Sequence, residues 1–400
     1  MSTAVEFRNV DILFGGQSRR AAAQKQAALA ALDAGRSRAE IAAQTGVVVG
    51  VADANLTVAR GEISVLMGLS GSGKSTLLRA ANRLNEVTRG QVLIKDGDAV
   101  VDIAKCDEAT LRRVRRLRIA MVFQQFGLLP WRTVRDNVGF GLELRGEPKA
   151  DSKRIVDEQL ELVGLSQWAD RHVGELSGGM QQRVGLARAF ATNADVLLMD
   201  EPFSALDPLI RGKLQDELLT LQARVKKTIL FVSHDLDEAL KLGDHITILE
   251  GGRIVQTGTA DDIVLRPASD YVAEFVMHMN PLSVLTGAMV MRRGERGHDQ
   301  TVWLDDEHRF QVLIDDSGRP TSMTVDGTEQ PLGHVGEDES WASDRVGLAV
   351  APASSSLSTL IKLRSATGHP VLLVEDGRLL GSCCQKEIIH ALAGKRHPSP

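Results

Sequence analysis

Short apolar runs closed by polar or glycine-rich turns recur along this chain, and stretches of helical period lie between them. That alternation predicts an α/β fold. Val5–Phe14 reads as a strand with a polar break, and Val47–Val58 as its continuation after an interruption. Ile63–Met67, Gln91–Ile94, Ile119–Phe123, Val196–Met199 and Thr228–Val232 read as further strands, most of them buried. Residues 17–46 look inserted. Ala21–Ala34 is alanine-rich and predicts a helix, and Ser37-Arg38-Ala39-Glu40 is a capping box that opens a second, closed by Gly46. Pro130–Val138 leads into a helical region running to about Val173, broken at Gly146-Glu147-Pro148. Lys95–Cys106 reads as a polar segment.

At 400 residues the chain predicts about two or three domains. Its 43% hydrophobic and 25% charged residues are those of a soluble globular protein. No apolar run reaches the roughly 18 to 20 residues of a spanning helix, and the opening MSTAVEFRNVDILFGG lacks a signal peptide's apolar core. Cys106, Cys383 and Cys384 form neither a metal spacing nor a disulfide framework, which suits a reducing cytoplasm. The net charge of −5 argues against a chain that coats nucleic acid. In the dense arginine run Leu111–Arg118, the period of Leu111, Val114 and Leu117 predicts a buried stripe. The arginines then form a solvated face or meet phosphate or acidic headgroups.

Chemistry concentrates in GLSGSGKS, Gly68–Ser75. An apolar run, a glycine-rich turn and a helix-forming stretch in that order make a Walker A phosphate loop. Gly68, Gly71 and Gly73 let backbone N–H groups of Ser70, Ser72 and Thr76 curl around phosphate oxygens. Lys74 reaches the β- and γ-phosphates, and Ser75 ligates Mg²⁺. Gln124 is a further magnesium ligand, with Asp200 acting through water. Glu201 is placed as general base and His234 as γ-phosphate contact. LSGGMQQR, Leu176–Arg183, is a second anion cradle opening a helix. Phe14, before two glycines, is either an adenine-stacking ring or an ordinary turn phenylalanine.

These motifs stand in the order found in ATP-binding subunits of ABC transporters, which the chain resembles over roughly residues 5–265. The resemblance implies a P-loop NTPase (RecA-like) core, an antiparallel β subdomain and a helical subdomain near residues 125–182. It implies a head-to-tail homodimer in which Ser177, Gly178, Gly179 and Gln181 of one subunit, with Asp207, complete the ATP site of the other. It implies also a groove for a transmembrane permease, a solute-binding protein outside the membrane, and a peripheral place on its cytoplasmic face. The insertion, NRLNEVTRG (Asn82–Gly90) and MVFQQFGLLPWRTV (Met121–Val134) resemble the quaternary-amine branch, the ATPases of glycine betaine, proline betaine and choline uptake, with choline importers nearest. A soluble ABC ATPase acting on nucleic acid or ribosomes is the rival reading. One Walker loop and no sustained heptads count against it. An importer ATPase for another small solute, such as an amino acid, is a further alternative.

Asn280-Pro281 reads as the boundary between an ATPase domain, 1–279, and a C-terminal domain, 281–400. Arg309–Met323 and His369–Cys383 both read strand, acidic Gly-Arg turn, strand, and the second continues into a helix, Gln385–Ala393. The second stretch resembles the core of a CBS motif. The implied module is α+β and senses ionic strength or a nucleotide, or else serves as a dimerising cap.

Overall fold

The computed structural model describes residues 2–16, 19–124, 127–204, 206–277, 282, 285–297, 300–305, 308–330, 332–334 and 348–392. The chain divides into two compact units, residues 1–263 with 267–272, and residues 264–266 with 273–400.

In the first unit, β1 (Thr3–Phe14) leads through α1 (Arg19–Asp33) and α2 (Arg38–Thr45) into β2 (Val48–Ala59). The two strands pair antiparallel from Thr3 opposite Ala59 to Phe14 opposite Val48, so the helices are spliced into the tip of one long ribbon. The capping box forms: Ser37 N–H donates to Glu40 Oε2 at 2.8 Å, and Glu40 N–H to Ser37 Oγ at 3.3 Å. Gly46 ends α2 at φ 69°, the left-handed turn that favours glycine. Ala28, Leu32 and Ile41 pack on Leu13, Val47 and Val49 in a core of their own. Arg89 clamps the base, forking onto Asp33 at 2.9 and 2.7 Å and reaching Asp11 at 2.6 Å.

The central sheet follows from β3 (Ile63–Met67), β6 (Ile119–Val122), β7 (Val196–Asp200), β8 (Thr228–Val232), β9 (His245–Glu250) and β10 (Arg253–Gly258). Its order is β10-β9-β3-β8-β7-β6, parallel except at the β10 edge. Strands β3, β7 and β8 are buried along their whole length, which explains their unbroken apolar runs. A four-stranded antiparallel sheet, β2-β1-β4-β5, uses β4 (Arg89–Asp96) and β5 (Ala99–Asp102). The helical layer comprises α5 (Val134–Arg145), α6 (Lys149–Leu162) and α7 (Gly178–Ala191) around Val138, Leu142, Leu160 and Val184. The P-loop core with its antiparallel and helical subdomains therefore stands.

Two local expectations are corrected, and one polar segment proves to hold a strand. The polar segment Lys95–Cys106 contains β5, an edge strand hidden because neither face is fully buried. Leu117 is not part of the buried stripe but 45% exposed; it is the last residue of α4 (Glu108–Leu117), whose covered side is Leu111 and Val114. Phe123 lies past the end of β6. Arg112, Arg113, Arg115 and Arg116 are exposed, as a solvated face requires, and the run also makes ties that this reading does not name. Arg113 and Arg118 both meet Asp96, Arg118 also reaches Asp195 at 2.8 Å, and Arg115 holds the Asn82 carbonyl at 2.8 Å.

In the second unit both expected hairpins form, β13 (Phe310–Ile314) with β14 (Pro320–Val325), and β18 (Val371–Glu375) with β19 (Arg378–Cys383). They are not equivalent, however. The first belongs to a five-stranded antiparallel sheet. The second is preceded by the helix Leu357–Thr367, which connects β17 (Leu348–Pro352) to the parallel β18, and is followed by the helix Gln385–Leu392. The two acidic Gly-Arg turns touch, Leu379 N–H donating to the Gly318 carbonyl at 2.9 Å. Among the described residues no helix is long and apolar enough to cross a membrane.

The insertion is a packed element, so Ile41→Ala is expected to lower unfolding free energy by about 2 to 4 kcal/mol, read by urea denaturation. A loss below about 1 kcal/mol would mean the hairpin is not part of the cooperative fold.

Candidate functional site

The C-terminal ends of the parallel strands carry the site, where an open α/β sheet leaves its crevice. After β3 the chain turns through Gly68 (φ 140°) and Gly73 (φ 102°) into α3 (Lys74–Ala80). A Cβ on Gly68 would collide with the Leu249 carbonyl, and one on Gly73 would lie 2.6 Å from the Gly50 carbonyl. Only glycine fits at either position. Lys74 is buried and donates back to the carbonyls of Gly68 at 2.8 Å and Leu69 at 3.0 Å. Burial lowers the affinity of its ammonium for the proton, and the carboxylates of Glu201 and Asp200 oppose that shift. Ser72 Oγ is buried with no hydrogen-bond partner, an unused donor aimed within an anion-shaped loop.

Asp200 ends β7 fully buried. Ser75 Oγ donates to its Oδ1 at 2.7 Å, while Arg79 donates to Oδ2 from Nε at 3.0 Å and from Nη2 at 2.8 Å. Arg79 lies one turn beyond Ser75 on α3, hence on the same face. Its role was missed in the sequence, where only that spacing marks it. Hard oxygen donors of Ser75, Asp200 and Gln124 on adjoining elements suit a magnesium ion.

Glu201 follows in left-handed backbone, φ 48°, uncommon for a residue with a side chain. Its amide donates to the Val232 carbonyl at 3.1 Å, and its own carbonyl accepts from Gln182 Nε2 at 3.4 Å. Thus pinned, its carboxylate meets two other expected residues: Gln124 Nε2 donates to Oε2 at 2.7 Å, and His234 Nδ1 lies 3.6 Å from the same oxygen. Three loops, after β6, β7 and β8, converge on one carboxylate.

The turn that carries His234 is flanked by a cluster the sequence did not announce. Ser233 Oγ donates to Glu238 Oε2 at 2.5 Å, Gln215 Nε2 to Oε1 at 3.0 Å, and Asp235 N–H to Ser233 Oγ at 3.0 Å. Burial raises the Glu238 carboxyl above the usual glutamate range.

Other expected residues stand apart. Ser177 caps α7, its Oγ accepting from Met180 N–H at 3.4 Å, and Gln181 donates to the Leu176 carbonyl at 3.1 Å. Among the described residues no hydrogen bond joins Ser177, Gly178, Gly179 or Gln181 to the phosphate loop. Asp207 caps α8 (Pro208–Val225), accepting from Ile210 N–H at 3.0 Å. Phe14, 42% exposed, lies flush on Gly50: a Cβ there would fall 2.6 Å from the ring and 3.1 Å from Thr76 Cγ2. Ser70 and Gly71 form the loop's outer turn, both exposed. Tyr271 was also missed; its hydroxyl accepts from Leu69 N–H at 3.2 Å.

Comparison with known proteins follows the same lines. Residues 51–204 match the family model described as ABC transporter. The chain is 50% identical to the glycine betaine/proline betaine transport system ATP-binding protein ProV of Escherichia coli, over 74% of this chain and 72% of that protein. It is 40% identical to the glycine betaine transport ATP-binding protein OpuAA of Bacillus subtilis, over 98% of this chain and 92% of that one. In fold it resembles the dimeric post-hydrolysis structure of the ATP-binding cassette MJ0796 bound to ADP and Pi. There the TM-score is 0.53 and identity 28%, over 64% of this chain and 98% of that one.

Removing one partner of a buried carboxylate leaves the other uncompensated. Because Arg79 is itself partly exposed, Arg79→Met is expected to cost about 1 to 3 kcal/mol of stability. Adding Asp200→Asn should recover much of the loss, measured as a double-mutant cycle in chemical denaturation. Strict additivity would dissolve the pair.

Proposed function

Because this chain belongs to the ATP-binding subunits of ABC transporters, an ATP-hydrolysing family, we propose that it powers an importer of quaternary amines such as glycine betaine, proline betaine and choline. The naming of relatives for these solutes, ProV and OpuAA among them, supports this reading. A choline transport ATP-binding protein, OpuBA of Bacillus subtilis, at 44% identity over 66% of this chain, supports including choline. The partners are then a transmembrane permease, a solute-binding protein and a second copy of this subunit, with the assembly on the cytoplasmic membrane face.

The observation that carries the mechanism is the convergence of Gln124 and His234 on the pinned Glu201 carboxylate. Lys74 and the loop amides hold the β- and γ-phosphates of ATP. Glu201 takes a proton from a water molecule as its oxygen attacks the γ-phosphorus; the bond to the β–γ bridging oxygen breaks and ADP leaves. His234 orients the γ-phosphate. Ser75, Gln124 and, through water, Asp200 would hold a magnesium ion, which would supply neutralising charge to the phosphates. The separation of Ser177–Gly179 from the phosphate loop supports a composite site completed by the partner subunit, in which water exclusion strengthens every charge contact. The described strands and helices of the second unit supply none of the groups used in this chemistry, and we assign that unit a CBS-like regulatory role.

Glu201→Gln keeps size and hydrogen bonding but loses the proton acceptor. ATP binding should persist while turnover falls more than about a hundredfold, roughly 2.7 kcal/mol of barrier. Turnover within about tenfold of the parent would remove Glu201 from the role of base. Uptake of labelled glycine betaine and choline into vesicles bearing this subunit and its permease tests the solute class. Uptake of neither, with ATPase intact, would redirect it to another solute.

A further inference from the structure

The inserted hairpin α1–α2 has no part in the chemistry above, yet one of its side chains reaches the phosphate loop. Arg38 Nη1 donates to the Gly71 carbonyl at 3.1 Å. We propose that Arg38 is a positioning residue of the nucleotide site, through which the insertion sets the affinity of the phosphate loop for ATP.

Much of the loop's backbone has partners of its own. Leu69 N–H meets the Tyr271 hydroxyl, Ser72 N–H donates to the Leu69 carbonyl at 3.1 Å, and the Ser72 carbonyl accepts from Gly252 N–H at 3.0 Å. Gly71 is the least supported point. It has φ 76°, and a Cβ there would meet nothing within 4 Å. Packing therefore does not hold the peptide between Gly71 and Ser72; two hydrogen bonds do, Ser72 N–H to the Leu69 carbonyl on one side and Arg38 to the Gly71 carbonyl on the other. In a trans peptide the carbonyl and the following N–H point opposite ways. A guanidinium on the Gly71 oxygen therefore reinforces the orientation that the Ser72–Leu69 hydrogen bond gives this peptide, and with it the curl of the loop that a phosphate would enter.

The lever itself is rigid. Arg38 is the first residue of α2, directly after the Ser37 cap, and α2 is anchored by fully buried Ile41. Its neighbour Glu40 is engaged with Ser37 and lies 3.6 Å from Arg36, and among the described residues Arg38 makes no ion pair. An unneutralised cation at the rim of an anion cradle adds favourable potential for phosphate as well as geometry.

The inference rests on the loop binding ATP, so the parent protein's binding of a fluorescent ATP analogue is measured first; absence of binding would defeat that reading and not this one. Given binding, Arg38→Ala and Arg38→Met should each raise Kd and KM for ATP by about threefold to tenfold, the span expected for the net worth of one ordinary hydrogen bond, with kcat at saturating ATP within about twofold. Arg38→Lys, which restores charge and one donor, should return KM at least halfway on a logarithmic scale. Thermal unfolding of all three should match the parent, since Arg38 is only partly covered. Kd and KM unchanged within about twofold in the Ala and Met variants would overturn the proposal. A fall in kcat with KM unchanged would overturn it too, because it would place Arg38 in the chemical step.

Discussion

A carboxylate with no exposure to solvent ends strand β7 of the central sheet, and a polar group buried there is costly unless donors meet it. Asp200 receives Ser75 and Arg79, both from the helix that follows the phosphate loop. The need to compensate one buried charge thus ties strand β7 to the loop between β3 and α3. The next residue, Glu201, inherits its position from that tie. Its left-handed backbone turns the carboxylate away from the sheet and toward the loops carrying Gln124 and His234.

Much of this was legible in the sequence because the constraints are local. A loop that must pass the Leu249 and Gly50 carbonyls without side chains requires glycines at 68 and 73, and these stand in the chain as a pattern. Buried parallel strands demand unbroken apolar runs, so β3, β7 and β8 were readable, as were the Ser37 capping box and the Gly46 stop. The expected meeting of Gln124, Glu201 and His234 rested on motif order, and the geometry brings these three together.

What stayed hidden depends on pairing across long stretches of chain. Nothing near Arg79 reveals that its partner lies 121 positions away, nor near Arg38 that it meets Gly71. The strand β5 exists because β4 offers it an edge, and its four residues, Ala99–Asp102, are too few to show a strand's alternation. The arginines of α4 were read by their own periodicity, whereas Asp96 and Asp195 on other elements settle where they go. Glu238 is likewise an ordinary helix glutamate until Ser233 and Gln215 are seen to enclose it.

The chain contains a single tyrosine, and its hydroxyl rests on the phosphate loop. Every phenol signal from this protein accordingly originates at one point, beside Leu69. A ring-fluorinated tyrosine supplied during expression would give one resonance, free of overlap, that reads the electrostatic surroundings of the loop without altering any other residue in 400.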